Sequence, residues 1–479
     1  MSPSDHFLRY ASPMELRFVA RENFNIYHAV IVGAIYSFPA TFNLLDASSY
    51  FLPLQACLLE HKYLSIVVGD AHTDKAFYRH VERIDLEQHV SIVEGDNAKD
   101  ESSSIEGIFR SHLDKPFPPG SPPWKIAVLP LSDSRAVIAF CYSHTVGDGA
   151  TGAAFHRTFL KAYNKPGAGA APQAVISKIV DVPERQLPLP FDTPQRLPIS
   201  WSYLLAPFLG AFLPGWIGKL LGLRASVSAV DKGTWTGSKV QFEESKGCQS
   251  QVVLREIPAP ILANALKLAR QNQAKLTAVL QELIARALSQ VLPDTARVTN
   301  LVCQTAINMR SACGIPNDEM GNAVSGHYST HLLKGLSPAF DESSWASAHA
   351  NTKALELTAA RLQDQPTGLL RYLPSVRKWT LSKLGQPRDC SFEVSNIGAQ
   401  AFPHALIDDK ANITKMFFGQ PGHATSAPLA FLFVSVKGGG LVYTVTWPSG
   451  ALALAQEENE EDFVNEVCGT LEDEMASLR

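Results

Sequence analysis

The chain has 479 residues, of which 46% are hydrophobic and 18% charged. This length suits two domains of ordinary size, and the composition excludes long intrinsically disordered regions. The formal net charge of -4 and the absence of a basic run give no field that would favour nucleic acid as a partner.

The cysteines and the first residues indicate the type of compartment. Seven cysteines are present, an odd number, and no two form a Cys-x-x-Cys pair. We therefore predict no metal site and no disulfide framework. The first residues contain no basic segment followed by an apolar run, so no secretory signal is predicted. These features favour a reducing, cytoplasmic location.

In the first part of the chain, apolar periodicity and turn residues predict helices and strands in mixed order. A Pro-rich turn separates the third helix from a hairpin of two apolar strands. The predicted helices span Pro13–Asn23, 48–60, 105–113 and 151–163, and the predicted strands span 26–38, 124–129 and 136–142.

The composition changes at the middle of the chain. We predict an N-terminal unit over 1–180, a crossover over 181–247 and a C-terminal unit over 248–479. Within the crossover, 197–218 carries no charge, a length that matches the ~20 residues of a membrane span. Its three prolines and three glycines would break such a helix repeatedly. We interpret it as a buried connection between the two units, with peripheral contact to a membrane surface or to a hydrophobic substrate as the alternative.

The second half again mixes strands and helices. Because no strict βαβ repeat is present, we expect an α/β fold of mixed sheets flanked by helices. Thr277 is predicted as a helix N-cap and Pro293 as a helix stop. The predicted strands span 251–257, 298–307, 391–395, 414–418, Leu429–Val436 and 441–446, and the predicted helices span 260–271, 277–292, 343–362 and 457–477.

The segment from Cys141 to Gly149 has the strongest chemical signal. His144 follows an apolar strand, where an imidazole can project into a cleft and take a proton near neutral pH. Asp148 can fold back and fix the loop, and the glycines on either side of it would permit a tight turn with positive φ. The spacing His-x-x-x-Asp recurs at 404–408, but only the first copy has the following glycine, a strand before it and a helix after it.

His144-x-x-x-Asp148-Gly149 resembles the signature of the CoA-dependent acyltransferase superfamily, which includes chloramphenicol acetyltransferase, BAHD enzymes, condensation domains and fungal alcohol acetyltransferases. Three further segments resemble motifs of the alcohol acetyltransferase branch, in order along nearly the whole chain. They are Ser12–Glu15 with Tyr27 onward, Asn308–Arg310 with Met320–Asn322, and Ser391–Gly398.

This resemblance implies two similar α/β halves around a central tunnel, with the acyl donor and the alcohol entering from opposite faces. His144 would deprotonate the alcohol for direct attack on the thioester, and Asp148 would be structural, paired with Arg310. Acetyl-CoA is the favoured co-substrate, no cofactor would be permanently bound, and the acceptor would be a small hydrophobic alcohol of secondary metabolism. A monomer is expected. The implied site comprises the catalytic motif His144, Asp148 and Gly149, the partner Arg310, and the tunnel or oxyanion residues Ser395, Asn396 and Asn308.

Other functions remain open at this point. The chain lacks the Asp-Phe-Gly-Trp-Gly element of plant BAHD enzymes, so a condensation-like or cyclising relative, or a carrier-protein thioester donor, is an alternative. Gly147–Gly152 matches Gly-x-Gly-x-x-Gly, but a dinucleotide fold needs an acidic residue ~20 positions on. Asp181 lies 29 residues after Gly152 and no further βαβ unit follows, so an oxidoreductase is a remote alternative. The chain also lacks the Gly-x-Ser-x-Gly elbow of a serine esterase, which opposes that function. No role is predicted for His327, His404 or His423.

Overall fold

The computed structural model describes residues 6–94, 100–165, 177–205, 228–293, 298–333, 337, 339–402, 410–455 and 457–479. Its longer helices lie close to the predicted positions, the short helix Val376–Leu381 was not predicted, and α1 has the predicted bounds. The α-helices are α1 (Pro13–Asn23), α2 (Phe51–Glu60), α3 (Glu101–His112), α4 (Gly149–Tyr163), α5 (Ala259–Gln271), α6 (Leu276–Val291), α7 (Glu342–Ala360), α8 (Val376–Leu381) and α9 (Glu460–Ala476).

The strands form two large sheets and two small ones. The strands are β1 (Phe7–Tyr10), β2 (Ala29–Ser37), β3 (Ile66–Gly69), β4 (Phe77–His80), β5 (Arg83–Asp85), β6 (Val90–Ile92), β7 (Trp124–Ser132), β8 (Arg135–Ser143), β9 (Ile179–Asp181), β10 (Ser250–Ile257), β11 (Asn300–Asn308), β12 (Val324–Leu332), β13 (Phe392–Gln400), β14 (Asn412–Gly419), β15 (Leu429–Val436) and β16 (Leu441–Pro448).

The first large sheet has the order β14-β2-β8-β7-β6. Both of its central strands, β2 and β8, are almost entirely buried, because helices and loops cover both faces. This burial explains why their sequences are continuous apolar runs without alternation. The β2–β8 pair is antiparallel and aligns Ala29 with Ser143, the last residue of β8. The end of this strand therefore fixes the position of the next residue, His144.

Strand β14 belongs to this sheet although it comes late in the chain. It pairs antiparallel with β2, and Phe417 lies opposite Gly33. The Phe417 ring occupies the place of a side chain at Gly33, since a Cβ built there would lie 2.0 Å from Phe417 Cε2. The two halves of the chain are therefore joined within one sheet. The division of the chain near residues 180 and 248 stays a prediction.

The Gly33→Ala variant should be less stable than wild type by about 1–3 kcal/mol, because overpacking of a filled core forces strained shifts. Urea unfolding measures the difference. Gly107→Ala is the matched control: Gly107 lies within α3 and a Cβ there would meet no atom within 4 Å. This control should be neutral or stabilising. Equal unfolding midpoints for Gly33→Ala and wild type would contradict the packing argument.

The second large sheet has the order β10-β16-β15-β13-β11-β12 and mixes parallel and antiparallel pairs. Helices α6 and α9 pack on it through buried apolar residues. The prediction of Thr277 as N-cap of α6 is wrong. The helix begins at Leu276 with Lys275 as N-cap, and the Thr277 hydroxyl instead accepts a hydrogen bond from Asn396 Nδ2 at 3.2 Å.

The apolar stretch predicted at 197–218 is described only in part, because 206–218 lies outside the described residues. At its start Leu197 is fully buried, whereas Trp201 is 78% exposed. None of the helices in the described ranges is both long enough and apolar enough to cross a membrane.

Candidate active site

The imidazole of His144 is held in a defined tautomer. Asn322 Nδ2 donates to the His144 carbonyl oxygen at 2.8 Å, which fixes the orientation of that amide. Asn322 Oδ1 then lies 3.0 Å from His144 Nδ1. An amide oxygen can only accept, so Nδ1 carries the proton and Nε2 presents a lone pair. The ring stacks on Phe18 with centroids 3.7 Å apart.

The surroundings of His144 keep the ring neutral. Burial lowers its pKa to about 4, and the negative charge of Asp148 opposes this shift only in part. A neutral imidazole is the form that can accept a proton. His144 is thus ready to act as a base throughout the physiological pH range.

Asp148 does not point at His144 Nε2 but holds the loop to the second half of the chain. Its Oδ2 accepts hydrogen bonds from Arg310 Nη1 at 2.8 Å and from the Ala323 amide at 3.0 Å. Its Oδ1 caps α4 by accepting from the Ala150 amide at 3.1 Å. Both members of the ion pair are buried. The sequence-predicted partners therefore lie together, in a structural arrangement.

The segment Met320–Asn322 completes this junction. Gly321 has φ +115, a conformation that favours glycine. Its carbonyl oxygen accepts from Arg310 Nη2 at 2.8 Å and from the Asp148 amide at 3.4 Å. Asn308 Oδ1 accepts from the Arg310 backbone amide at 3.0 Å. Asn308 thus orients Arg310 and does not line the cavity.

The prediction of positive φ at Gly147 and Gly149 is wrong, since neither is among the glycines with positive φ. Both are needed for close packing instead. A Cβ at Gly147 would lie 2.0 Å from Thr151 Oγ1, and one at Gly149 would lie 2.7 Å from Ile397 Cγ2. Gly149 also lines the cavity beside His144. The glycine after Asp148 lets the loop approach β13.

His144 opens onto a cavity of about 730 Å³ between the two large sheets and α1. This helix begins with a capping box, in which Ser12 and Glu15 exchange side-chain and backbone hydrogen bonds. The cap explains the Ser-Pro-Met-Glu motif and sets the helix so that Met14 and Phe18 face the cavity. The wall is mixed, with apolar residues beside several charged ones.

The two predicted oxyanion residues are placed differently. Ser395 is 9% exposed and lines the cavity. Asn396 points to the other side of β13, where its Nδ2 donates to Thr277 Oγ1 at 3.2 Å and its Oδ1 accepts from the Gly398 amide at 2.8 Å. Only Ser395 is positioned to meet a bound substrate.

Sequence reasoning missed a second polar group in the cavity. His423 Nε2 lies 2.9 Å from Glu393 Oε2, and Gln420 Nε2 donates to Glu393 Oε1 at 3.1 Å. Tyr27 donates to Gln420 Oε1 at 3.1 Å, and its ring lies between the rings of His144 and His423. The only available signal was the acidic residue inside the Ser-Phe-Glu-Val-Ser-Asn motif, because the partners of Glu393 lie on other segments.

The lining of the cavity contains no candidate metal centre. In the part of the chain that is described, no three His, Cys, Asp or Glu side chains are grouped so that they would hold a metal ion. All seven cysteines are free.

The chain is similar to proteins of known family and fold. The family model "Alcohol acetyltransferase" matches residues 96–475. A probable alcohol acetyltransferase, crmB of Aspergillus fumigatus, is 22% identical over 82% of this chain and 84% of its own. Trichothecene 15-O-acetyltransferase TRI3 of Fusarium sporotrichioides has a TM-score of 0.64 at 13% identity and covers 99% of this chain and 98% of its own. The first condensation domain of the CDA synthetase has a TM-score of 0.59 at 12% identity, covering 99% and 97%.

The likeness in structure confirms the predicted α/β fold class, and the family match confirms the predicted resemblance to alcohol acetyltransferases. The family match spans far more than half of the chain and includes the His144 loop, Arg310 and the Ser391–Gly398 segment. The chain belongs to the alcohol acetyltransferase family and is an acyltransferase.

Proposed function

We propose that this enzyme transfers an acetyl group from acetyl-CoA to the hydroxyl of a small, largely hydrophobic alcohol, with His144 as the general base. One observation carries this proposal: the Nδ1 proton of His144 is held by Asn322, which leaves Nε2 as an acceptor in the wall of the cavity. A base so placed can activate a hydroxyl without first forming a free alkoxide.

The reaction would proceed in one acyl-transfer step. The acceptor oxygen attacks the thioester carbonyl carbon while its proton moves to His144 Nε2, and the carbon–sulfur bond then breaks. The departing thiolate takes the proton from the imidazolium, which gives CoA thiol and neutral His144. Burial disfavours the imidazolium, as the lowered pKa indicates, so the proton returns readily to the thiolate. No acyl-enzyme is needed.

We propose that the Ser395 hydroxyl donates a hydrogen bond to the oxyanion that forms at the thioester carbonyl. Asp148 and Arg310 would act at a distance from the substrate, by holding the loop that carries His144. The apolar side chains of Met14, Phe18 and Leu370 line the same cavity and would contact the body of the acceptor.

The dinucleotide alternative is opposed by the capping of α4. The helix N-terminus that would receive a pyrophosphate already holds the carboxylate of Asp148, which accepts from the Ala150 amide. The strand before it, β8, pairs antiparallel with both of its neighbours, whereas a dinucleotide fold requires a parallel sheet.

The donor is tested by thermal unfolding with acetyl-CoA, longer acyl-CoAs, free CoA and NADPH. A ligand at about 100 times its dissociation constant adds about 2.7 kcal/mol of stability, so acetyl-CoA should raise the midpoint and NADPH should not. Stabilisation by NADPH alone would contradict the proposal. Stabilisation by none of them would favour a donor bound to a carrier protein, as in the condensation-like alternative.

The pH dependence of transfer tests the state of His144. Since the base acts in its neutral form and its pKa is lowered to about 4, kcat/KM should stay constant within about twofold between pH 5 and pH 8. A histidine with an ordinary pKa of about 6.5 would lose more than tenfold over the same range. Enzyme stored at neutral pH and diluted into each buffer for a short assay gives the profile. An acid limb centred near pH 6.5 would contradict the assigned environment.

A further inference from the structure

One face of α1 brings two arginines to the cavity. Met14, Arg17, Phe18 and Arg21 stand at positions i, i+3, i+4 and i+7 of one helix face, and all four line the cavity. Phe18 stacks on the His144 ring. Arg21 lies three residues further along the helix, which is a rise of about 4.5 Å. Both arginines thus line the same cavity as His144, and as an i,i+4 pair of like charge their guanidinium groups repel each other.

Neither arginine forms a close ion pair with a described residue. No described carboxylate lies within ion-pair distance of Arg17 or Arg21. Arg21 is only 4% exposed, and its guanidinium forms no hydrogen bond to a described residue, its one close ring contact being Tyr27 at 5.9 Å. Arg17 Nε is buried and has no hydrogen-bond partner in the described part of the chain. A buried charge without an ion-pair partner is costly, which points to a ligand beside Arg21.

The acidic residues of the cavity are already paired with other groups. Glu393 binds His423 and Gln420. Asp389 accepts from Ser426 Oγ at 2.7 Å and lies 3.8 Å from Lys383 Nζ. They act on the two arginines only from beyond ion-pair distance, so the cavity wall keeps an excess of positive charge at α1.

The effect of burial on Arg21 agrees with this arrangement. Burial lowers the pKa of Arg21 to about 9 and the charge of Arg17 lowers it further, while the charges of Glu393 and Asp389 oppose this shift only in part. An anion bound between the two guanidinium groups would offset both effects, since an opposite charge favours the ionised form.

We propose that Arg17 and Arg21 together bind a carboxylate that the substrate carries close to the reacting centre. The inference rests on the proposed acyl transfer at His144. The carboxylate can belong to the acceptor, which would then be a hydroxy acid, or to a dicarboxylic acyl group on the donor. The phosphates of CoA are excluded, because the long pantetheine arm separates them from the thioester.

Binding of a simple carboxylate tests the site without any turnover. Isothermal titration of the full-length enzyme with octanoate and with octanamide compares two ligands of equal length that differ in charge. Wild type should prefer octanoate by about tenfold or more, as expected for a charge-assisted hydrogen bond. The Arg17→Gln/Arg21→Gln variant should lose that preference. Equal affinities in wild type, or a preference that survives in the variant, would overturn the proposal.

Kinetics then identify which substrate carries the carboxylate. The Arg21→Gln variant is assayed in two ways. In the first, acetyl-CoA is the donor, and ω-hydroxy acids are compared with their methyl esters as acceptors. In the second, succinyl-CoA is compared with acetyl-CoA as the donor. A hydroxy acid acceptor predicts that KM for the acids rises about tenfold or more while KM for the esters is unchanged. A dicarboxylic acyl group predicts the rise for succinyl-CoA alone. Equal losses for charged and neutral substrates would overturn the proposal.

Two controls separate this inference from the proposed function. Arg83→Gln removes an arginine whose ion pair with Asp181 is largely exposed and should change none of these constants. His144→Ala should abolish transfer to every acceptor and leave octanoate binding intact. If the arginine variants lose charge selectivity but still transfer acetyl groups, the result supports the carboxylate site. If transfer does not depend on His144, the proposed function is wrong, and octanoate binding still tests the carboxylate site.

Discussion

The His144→Ala variant should lose transfer activity by about 10²–10⁴-fold in kcat, the contribution of a positioned general base. The side chain is the only described imidazole in the cavity that has Nδ1 fixed by an amide oxygen and Nε2 left to accept. Binding of acetyl-CoA should persist, because the imidazole acts on the acceptor proton and not on the CoA moiety. The measurement is kcat for acetyl transfer together with the dissociation constant of acetyl-CoA.

A second histidine provides the matched control for this variant. His349 lies on α7, outside the cavity lining, with Nδ1 bonded to the Gln273 carbonyl oxygen at 2.9 Å. His349→Ala should keep wild-type kcat within about twofold, as expected for a substitution away from special structural features. If His144→Ala retained near-wild-type turnover, the assignment of the base would be wrong.

The Asp148→Asn variant should be destabilised by about 3–5 kcal/mol, because removal of one partner leaves the buried Arg310 guanidinium uncompensated. An asparagine can still accept from the Ala150 amide, so the cap of α4 should largely survive. Loss of the negative charge weakens the junction between the His144 loop and the Met320–Asn322 segment. Activity should fall together with the midpoint of thermal unfolding, since His144 is held by Asn322 from that segment.

Removal of both charges of the Asp148–Arg310 ion pair tests whether its effect on activity comes through the stability of the fold. Asp148→Asn combined with Arg310→Met replaces the buried ion pair by uncharged side chains, which is often neutral for stability. The double variant should recover most of the stability that Asp148→Asn loses. A midpoint in Asp148→Asn equal to that of wild type would contradict the structural role of this aspartate.

Much of the secondary structure was predictable because local patterns determine it. Helix α1 has the predicted bounds since its capping box is a local signal. Strands β15 and β8 were recognised as apolar runs, which burial on both faces produces. The strands β1, β3 and β4 were missed because they are only four residues long. β12 was missed because its polar and small residues resemble a loop.

The site was predictable where a contiguous motif carries it and unpredictable where the fold assembles it. His144, Asp148 and Arg310 are found through motifs, although the contact between the last two spans 162 residues. The inclusion of β14 in the first sheet and the pairing of Glu393 with His423 depend on tertiary packing. A single sequence has no local pattern that reports such contacts. For the same reason, the arginines of α1 were not recognised as cavity residues.

The most direct test of direct acyl transfer is a single-turnover reaction of enzyme with acetyl-CoA and a panel of small alcohols, followed by mass spectrometry of both the alcohols and the intact protein. We expect an acetylated alcohol to form in step with free CoA, while the mass of the protein stays unchanged at every time point. Acetylation of the protein before product appears, or release of CoA without any acetylated alcohol, would contradict direct attack of a hydroxyl activated by His144.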